Sequence, residues 1–392
     1  MRARIPRKIA KAAVSRLDSW LLPLWGRLPG RSAAETQAGQ GAVRGVVAIG
    51  PGDGIPYAGY GFGEKGFARV CEPLRIRPGS PGVTSVADAV YLPCASALEE
   101  SGLYDTHGEL MEGTRLWRGP DGRESVTRNM FGKGKGYSYD IEERPVVYLG
   151  PLVDHYGHFL TECCARVWAV MGDAFSEAKL VFHGDGRCLQ REYVRSFFRS
   201  IGLDTARFTA YSRPTLIREA IVPKPSMINR CEVWGAHVEM MATAADNLLG
   251  MRRSGRNGRP VYLSRARLDP THRALWREDR LLGELRKRGF KVIYPETMSL
   301  AEQVAVFNAH ETYVGPLGSA FHNTLFSREP CMNVYLAGDL GENYLLFDAC
   351  KGNASVWIRC VDALFSFKPG VRKNMRLDCQ AALAGLEKHG VA

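Results

Sequence analysis

VGPLGSAFHNTLF, at residues 314–326, joins a short strand to a helix. Residues 311–314 have the apolar character of a buried strand, and Ser319–Phe326 has the apolar spacing of a helix. Two glycines and a proline therefore lie at a strand-to-helix corner, which we call the glycine corner (residues 314–326). The corner suits an anion, because glycines leave room for a phosphate, Ser319 is placed to cap the helix, and first-turn N–H groups face outward. The alternative is a tight turn that only packs well.

The glycine corner belongs to a regular alternation of strands and helices in residues 251–392. Predicted strands are Val261–Leu263, Phe290–Tyr294, Thr312–Val314 and Met332–Leu336, and predicted helices are Arg277–Arg288, Leu300–Ala309 and Ser319–Phe326. Four parallel strands with crossover helices predict a doubly wound sheet, in which ligands bind beyond the carboxyl ends of the strands. Ser264 and Arg265, after the first strand, fall on the same edge as the glycine corner. A guanidinium opposite a helix N-terminus predicts a clamp for a diphosphate.

Length, composition and charge define the class of protein. A chain of 392 residues with 45% apolar and 24% charged side chains is expected to be globular, with two α/β domains. Its net charge of +11 is concentrated in residues 1–31, which contribute +7. The rest of the chain is nearly balanced, which argues against nucleic-acid binding. We predict an N-terminal segment and linker at residues 1–40, a first α/β domain at residues 41–250 and a second at residues 251–392.

Residues 1–25 combine an apolar face with basic flanks. Ile5, Ile9, Leu17 and Leu21 recur at helical spacing among arginines and lysines, as is typical of a helix lying on an anionic membrane surface. The alternative is a solvated basic tail that folds against the body. The chain has no run of 18 apolar residues, and charged residues interrupt this stretch, so we predict neither a transmembrane span nor a secretory signal.

Residues 154–170 are predicted to form a loop that enters a helix. His158, Glu162 and Arg166 follow at four-residue spacing, which would place them on one stripe of a helix. Such a stripe either lines a cleft or consists of a surface Glu–Arg pair beside a structural histidine. The neighbouring sequence predicts strands at Val146–Leu149, Lys179–His183 and Leu216–Val222, and helices at Cys188–Ile201 and Glu232–Met251.

The sequence gives no sign of a metal site. Its ten cysteines are scattered without a C-x-x-C pair, so we interpret them as reduced, mostly buried side chains of a cytoplasmic protein. No two aspartates stand at D-x-D spacing. We therefore expect neither a metal ion nor a cofactor.

Five motifs occur in an order that resembles glycosyltransferase family 61, with good coverage from about residue 146 to residue 350. They are HFLxExxxR (158–166), LSR (263–265), RE (277–278), GFxVIxPExxSLxEQ (289–303) and VGxxGSAxxNxxF (314–326). The resemblance implies a GT-B fold, with two facing Rossmann-like domains and a cleft between them. It also implies inverting, metal-independent transfer of a sugar from a nucleotide sugar to a glycan or lipid-linked glycan. Bacterial members are usually associated with capsular or other surface polysaccharides, and eukaryotic members with glycoprotein and xylan modification.

Two positions depart from the family pattern. Many members have a histidine in the glycine corner where this chain has Leu317. Either His322 replaces that contact to the leaving group, or it is unrelated to it. Trp276 stands two residues before Glu278, and no detailed role is carried over to it.

The implied reaction needs hydrogen-bond donors for the diphosphate and a base for the acceptor hydroxyl. Arg265 and the helix N-terminus at Ser319 are expected to take the place of a metal ion. The full set of donor-binding candidates is Ser264, Arg265, Glu278, Gly315, Gly318, Ser319, Ala320, His322 and Asn323. Inversion requires a base on the opposite face of the sugar, hence from the first domain, where Glu162 ranks before His158 and Asp154.

Two other functions stay open at this point. A different transferase, such as one that moves a pyruvyl group onto a polysaccharide, would use the same anion site for another phosphate-bearing donor. A non-catalytic scaffold of polysaccharide assembly would dock on the membrane through residues 1–25. In either case the protein is expected in the cytoplasm, with peripheral contact to the inner face of the membrane if residues 1–25 bind lipid.

Overall fold

A computed structural model describes residues 47–49, 57–60, 74–119, 122, 124–132, 136–250, 255–268, 275–363 and 375–391. The N-terminal helix predicted in residues 1–25 and the linker that follows lie outside these ranges. The described chain is a mixed α/β protein with several sheets. Its described residues divide into two compact units: unit 1 holds Val47 and the described residues from 75 to 243, and unit 2 holds the other described residues.

Strands and helices are numbered separately in chain order. The strands before residue 250 are β1 (Val47–Ile49), β2 (Tyr57–Tyr60), β3 (Leu74–Arg77), β4 (Val83–Tyr91), β5 (Leu103–Tyr104), β6 (Trp117–Arg118), β7 (Glu124–Ser125), β8 (Asp140–Glu142), β9 (Val146–Pro151), β10 (Lys179–His183), β11 (Phe208–Thr209), β12 (Thr215–Pro223), β13 (Met227–Ile228) and β14 (Glu232–Trp234). The later strands are β15 (Val261–Leu263), β16 (Leu275–Trp276), β17 (Lys291–Ile293), β18 (Thr312–Pro316), β19 (Met332–Ala337), β20 (Ala354–Arg359), β21 (Val361–Ala363) and β22 (Met375–Leu377). The α-helices are α1 (Ala97–Glu100), α2 (Tyr156–His158), α3 (Glu192–Ser200), α4 (Gly235–Leu249), α5 (Glu278–Lys287), α6 (Leu300–Ala309), α7 (Glu342–Lys351) and α8 (Cys379–Lys388).

Unit 1 is built on a sheet in the order β11-β10-β9-β12-β4-β5, with β8 also paired to β12. β9, β10, β11 and β12 run parallel to their neighbours, whereas β4 pairs with β12 in the antiparallel direction. β9 is buried along its whole length, as expected for a central parallel strand covered on both faces. The predicted strand Lys179–His183 is confirmed as β10, and the predicted strands in β9 and β12 are confirmed with slightly longer bounds.

Three helix predictions in unit 1 need correction. The helix predicted at Glu232–Met251 begins as the short strand β14 and becomes helical only at Gly235, since Val233 pairs with β3 and β13. The helix predicted at Cys188–Ile201 divides into a 3₁₀ turn at Arg187–Gln190 and helix α3. The helix predicted after residue 154 is only three residues of α-helix, followed by a π-helix at Phe159–Cys163.

Unit 2 contains a six-stranded, wholly parallel sheet in the order β17-β15-β18-β19-β20-β2. The four predicted strands are confirmed as β15, β17, β18 and β19, and the sheet is two strands larger than predicted. Helix α6 has the predicted bounds, and α5 differs from its prediction by one residue at each end.

Helices cover both faces of this sheet, which makes unit 2 doubly wound. On one face Val314, Val334 and Ile358 pack against Leu285 of α5 and Leu386 of α8. On the other face the alternate strand residues are aromatic: Tyr313 stacks on Phe307 of α6, and Tyr335 lies against Phe321 of the glycine corner. Within the described ranges, no helix has the length and apolar character needed to cross a membrane.

Candidate active site

The glycine corner lies at the point of unit 2 where the order of strands reverses. In chain order β15 is followed by β17 on one side of it and by β18 on the other. The loops that leave the carboxyl ends of β15 and β18 therefore diverge, and doubly wound folds bind ligands in the crevice that this divergence leaves. Ser264 and Arg265 come directly after β15, and Leu317 and Gly318 come directly after β18.

The two loops meet at Arg265 and Gly318. A Cβ atom at Gly318 would lie 3.2 Å from Nη1 of Arg265, so the guanidinium lies against the glycine. Gly318 has an extended backbone, with φ 177°. The glycine is therefore explained by the close approach of the guanidinium and not by a special backbone conformation. Gly315 instead allows close packing of β18 against β15, because a Cβ atom there would lie 2.9 Å from the carbonyl oxygen of Leu263.

Glu278 fixes the backbone that carries Arg265. Its Oε1 accepts a hydrogen bond of 2.8 Å from the N–H of Arg265. Burial raises the pKa of Glu278, although the hydrogen bond from Arg265 opposes the shift. The buried Ser264 holds the same loop, because its Oγ accepts the N–H of Ala266 at 3.1 Å. Both residues therefore position Arg265.

The helix of the glycine corner is a 3₁₀ helix at Ser319–Phe326. Gly318 occupies the N-cap position and Ser319 is the first helical residue, so the predicted capping role of Ser319 is wrong. Ser319 and Ala320 are half-buried at the start of the first turn, where N–H groups have no acceptor inside the helix.

His322, Asn323 and Leu317 face the interior of unit 2 to different degrees. His322 is buried, with its ring centroid 5.4 Å from that of Tyr344. Asn323 is fully buried and donates to Oε1 of Gln303 at 2.8 Å, so it holds the 3₁₀ helix to α6. Leu317 is half-buried, and its N–H donates to the carbonyl of Leu336.

In unit 1, the candidate bases His158 and Glu162 form a pair. Nδ1 of His158 lies 2.6 Å from Oε2 of Glu162. The glutamate side chain is almost fully buried, whereas 32% of the histidine side chain is exposed. The pair spans the junction between α2 and the π-helix, where the N–H of Cys164 reaches the carbonyl of Phe159, five residues back. π-helical turns are rare and often occur at functional sites.

Two distant residues complete the environment of Glu162. Arg118 donates to both carboxylate oxygens, from Nε at 2.6 Å and from Nη2 at 3.0 Å, and Asn229 donates to Oε1 at 2.7 Å. A backbone bridge between Arg118 and Asn229 aligns these two donors. Burial raises the pKa of Glu162, but the hydrogen bonds from His158 and Arg118 outweigh burial and hold it below its usual range. Glu162 is therefore a carboxylate at neutral pH.

Both clusters fall within a region that matches a known family. Residues 156–334 match the family model described as Glycosyltransferase 61. This region, 179 of the 392 residues, is similar to glycosyltransferase family 61. No curated protein matches it. The matched region includes the His158–Glu162 pair, the Arg265 loop and the whole glycine corner, and it supports a glycosyltransferase whose family motifs lie at these two sites.

Two further residues predicted from the sequence, Arg166 and Asp154, have hydrogen-bond partners other than His158 and Glu162. Arg166 is not on one stripe with Glu162, because the π-helix shifts the register and the chain then enters a new 3₁₀ turn. Its guanidinium instead donates to the carbonyls of Pro223 and Arg115. The interpretation of Glu162 and Arg166 as a surface ion pair is therefore wrong.

Asp154 is bound to Arg191 and Tyr193. Arg191 Nε donates to its two carboxylate oxygens at 2.9 and 2.7 Å, and the Tyr193 hydroxyl donates at 3.1 Å. Hydrogen bonding from Arg191 lowers the pKa of Asp154. A carboxylate held in this way is a weak base.

Arg118 and Asn229 are functional-site residues that no pattern in the sequence indicates. Arg118 lies in a segment of short strands with weak periodicity, and 44 residues separate it from Glu162. No motif contains either residue, and only the folded chain brings them to the carboxylate.

The described cysteines are all free, and seven of the nine are buried, as predicted. Among the described residues, no group of three or more His, Cys, Asp or Glu side chains is arranged to hold a metal ion.

Proposed function

We propose that this glycosyltransferase moves a sugar from a nucleoside diphosphate sugar to a hydroxyl of a glycan acceptor, with inversion at the anomeric carbon. The observation that carries the proposal is the contact between the Arg265 guanidinium and Gly318 at the carboxyl edge of the unit 2 sheet. It joins a guanidinium to a glycine turn and a helix start at the point where doubly wound folds bind phosphates.

Arg265 would stabilise the leaving diphosphate. As the bond between the anomeric carbon and the diphosphate oxygen breaks, negative charge grows on that oxygen. A guanidinium offers several N–H donors in a planar fork and stays charged at every relevant pH. Glu278 and Ser264 hold its backbone in place, so little reorganisation is needed when charge develops. Arg265 would thus supply the positive charge that a divalent cation supplies in other transferases.

His158 is the base that the geometry favours, and Glu162 orients it. This reverses the order in which the sequence ranked the two residues. Glu162 accepts hydrogen bonds on both oxygens and has a lowered pKa, which makes it a poor proton acceptor. With Nδ1–H of His158 donating to Glu162, Nε2 carries the lone pair, as in other histidine–carboxylate pairs.

The proposed reaction is a single displacement at the anomeric carbon. Nε2 of His158 takes the proton of the acceptor hydroxyl, and the hydroxyl oxygen forms a bond to the anomeric carbon from the face opposite the diphosphate. The bond to the diphosphate breaks, and its electron pair leaves with the nucleoside diphosphate. The imidazolium that forms is stabilised by the carboxylate of Glu162.

The GT-B arrangement belongs to the same proposal, because in that fold a base from one domain acts on a donor held by the other. We also propose a role in the synthesis of a surface polysaccharide, as in bacterial relatives. The acceptor would be a glycan or a lipid-linked glycan, and residues 1–25 would give peripheral contact with the membrane that carries it.

A ligand panel with the wild-type protein tests the proposal. Thermal unfolding is followed with nucleotide sugars, nucleoside diphosphates and phosphoenolpyruvate, each in EDTA and, in parallel, with Mg²⁺. A ligand at one hundred times its Kd adds about 2.7 kcal/mol of stability, which raises Tm by several degrees. We expect a shift with one nucleoside diphosphate family, and NMR of the transfer product should show an inverted anomeric configuration. A shift with phosphoenolpyruvate alone, a shift that requires a metal ion, or a retained configuration would contradict the proposal.

A further inference from the structure

Unit 1 contains a cavity of about 660 Å³ that the reaction described above does not use. Its walls are the loops that follow β9 and β10, which start at the carboxyl ends of two adjacent parallel strands, together with Cys94, Ala95 and Ala97 from the segment after β4. The lining includes Leu152, Asp154 and Asp185, together with Arg187 and Arg191. Its volume is in the range of pockets that hold small organic ligands.

Close contact between the two loops preforms the cavity. Gly184, the first residue after β10, has φ +150°, a conformation that side chains other than glycine rarely adopt. A Cβ atom there would lie 2.4 Å from the carbonyl oxygen of Leu152, which follows β9. In addition, the N–H of Leu152 donates to the carbonyl of His183 at 2.8 Å. The floor of the cavity is therefore fixed by backbone contacts.

The charges that line the cavity cancel in pairs. Arg191 binds Asp154, with Nη2 2.6 Å from Oδ2, and Arg187 binds Asp185 through Nε at 2.6 Å. The two arginines and two aspartates have no net charge together, so the lining does not favour a charged ligand. Carboxylates and guanidiniums in ion pairs still offer acceptors and donors side by side, which suits neighbouring hydroxyl groups.

The cavity is joined to the proposed base by a short piece of chain. Asp154 is four residues before His158, and His155 between them caps α2, because its Nδ1 accepts the N–H of His158. The ring of His155 lies 4.5 Å from that of His158, centroid to centroid. One loop therefore forms a wall of the cavity and begins the helix that carries His158.

We infer that this cavity binds an uncharged saccharide unit of the acceptor, and that Asp154 and Arg191 are its hydrogen-bonding residues. The inference rests on the proposed function and extends it, since it names the acceptor as a neutral, hydroxyl-rich sugar. It also assigns Asp154 to acceptor binding in place of the base role that the sequence suggested.

Saturation-transfer difference NMR on the full chain tests the inference directly. The probes are the methyl glycosides of glucose, galactose, mannose, xylose and N-acetylglucosamine, with methyl glucuronide as the charged comparison. We expect at least one neutral glycoside to bind, and methyl glucuronide to bind more weakly. Asp154→Asn and Arg191→Gln should each raise the Kd of the neutral glycoside about tenfold, because each removes one partner of a charge-assisted pair.

Asp88→Asn is the matched control. Asp88 also forms an exposed ion pair with an arginine of unit 1, Arg218, at 2.7 Å, but it does not line the cavity. Exposed pairs of this kind contribute little to stability, so all three variants should fold, and thermal unfolding checks this. Binding unchanged in Asp154→Asn and Arg191→Gln, equal loss in Asp88→Asn, or no bound neutral glycoside would overturn the inference.

The result can be separated from the proposed function. If a nucleoside diphosphate stabilises the protein while no glycoside binds, only the cavity assignment fails. If a glycoside binds in the cavity and no diphosphate stabilises the protein, the donor proposal fails and the saccharide site stands.

Discussion

Glu162 shows how surrounding residues divide roles between two neighbouring side chains. Arg118 and Asn229 bind its oxygens from distant parts of the chain, and the pKa of the carboxylate falls despite burial. In the proposed mechanism His158, whose side chain is 32% exposed, is the group that exchanges a proton with the substrate. Their four-residue spacing is visible in the sequence, but the difference between their environments is not.

Replacement of His158 tests this division. In His158→Ala we expect kcat to fall by about 10²–10⁴, because proton transfer from the acceptor loses its base, while the Kd of the donor changes little. Glu162→Gln should lower kcat less than His158→Ala does, since the imidazole remains. Steady-state kinetics and donor titrations measure both effects.

His107→Ala serves as the control, because His107 is an exposed histidine of unit 1. A kcat in His158→Ala equal to that of the control would contradict the assignment of the base. So would a larger loss of kcat in Glu162→Gln, provided that both variants fold.

At the scale of elements, the two glycines of the glycine corner have different functions. Gly315 lets β18 approach β15, with backbone and side-chain atoms of Leu263 in the space of a Cβ. Gly318 faces the far end of a long side chain, the guanidinium of Arg265. A sequence motif cannot separate a glycine needed for packing from one needed for a ligand.

Two alanine substitutions distinguish the glycines. Gly315→Ala should lower the free energy of unfolding by about 1–3 kcal/mol, because the new methyl group meets backbone. Gly318→Ala should change stability by less than about 0.5 kcal/mol but weaken diphosphate binding, because it displaces the guanidinium. Denaturant unfolding and ligand titration of both variants give the comparison. Equal losses of stability in the two variants would contradict these roles.

A buried carboxyl group holds α7 to the sheet of unit 2. Asp348 accepts hydrogen bonds from Asn333 at 2.6 Å and from the Tyr335 hydroxyl at 2.9 Å, both on β19. Burial raises the pKa of Asp348 to about 7, and the hydrogen bonds from Asn333 and Tyr335 oppose the shift only in part. Between pH 4 and pH 7 the folded state therefore keeps a proton that the unfolded state has lost.

This difference in proton binding predicts the pH dependence of stability. Titration of Asp348 should lower the free energy of unfolding as pH rises from about 4 to about 7, by roughly 4 kcal/mol in all, with little change outside that window. Asp348→Asn removes the titration, so the difference in stability between wild type and variant should vary with pH in that window. Urea unfolding at pH 5 and pH 7.5 measures it, and parallel pH profiles would contradict the assignment.

Elements with a strong pattern were predictable and irregular ones were not. Helix α6 has its predicted bounds, and the structure shows a capping box of Ser299 and Glu302 at its start. The π-helix at Phe159–Cys163 was missed, because an α-helical pattern and a π-helical turn have the same apolar residues over so few positions. The prediction that Arg166 lies on one stripe with Glu162 was wrong for the same reason, because it assumed a regular α-helix.

At the scale of the whole molecule, the sequence indicated the architecture of unit 2 better than that of unit 1. Alternating strands and helices predict a parallel sheet, and the glycine corner then falls on the edge at which doubly wound folds bind ligands. Unit 1 mixes parallel and antiparallel strands, and its key contacts join residues as far apart as Glu162 and Asn229. Such contacts leave no periodic signal in one sequence.

The charge distribution predicts membrane contact through residues 1–25. These residues contain six basic side chains and one acid, and each basic residue near an anionic surface is worth about 1 kcal/mol. The full chain should sediment with phosphatidylglycerol vesicles at low salt and be released at high salt. A chain without residues 1–25 should stay in the supernatant with the same vesicles, and vesicles of phosphatidylcholine provide the control. Equal sedimentation of both chains would contradict membrane binding by this segment.

The central claim is that Arg265 holds the donor diphosphate without a metal ion. It is tested most directly by calorimetric titration, in EDTA, of the nucleoside diphosphate that stabilises the wild type. Arg265→Ala should raise its Kd by about 10- to 150-fold, as expected from the loss of 1.5–3 kcal/mol of charge-assisted hydrogen bonding. Arg280→Ala, an exposed arginine of α5 in the same unit, should leave the Kd unchanged. Equal affinities in the two variants would contradict the claim.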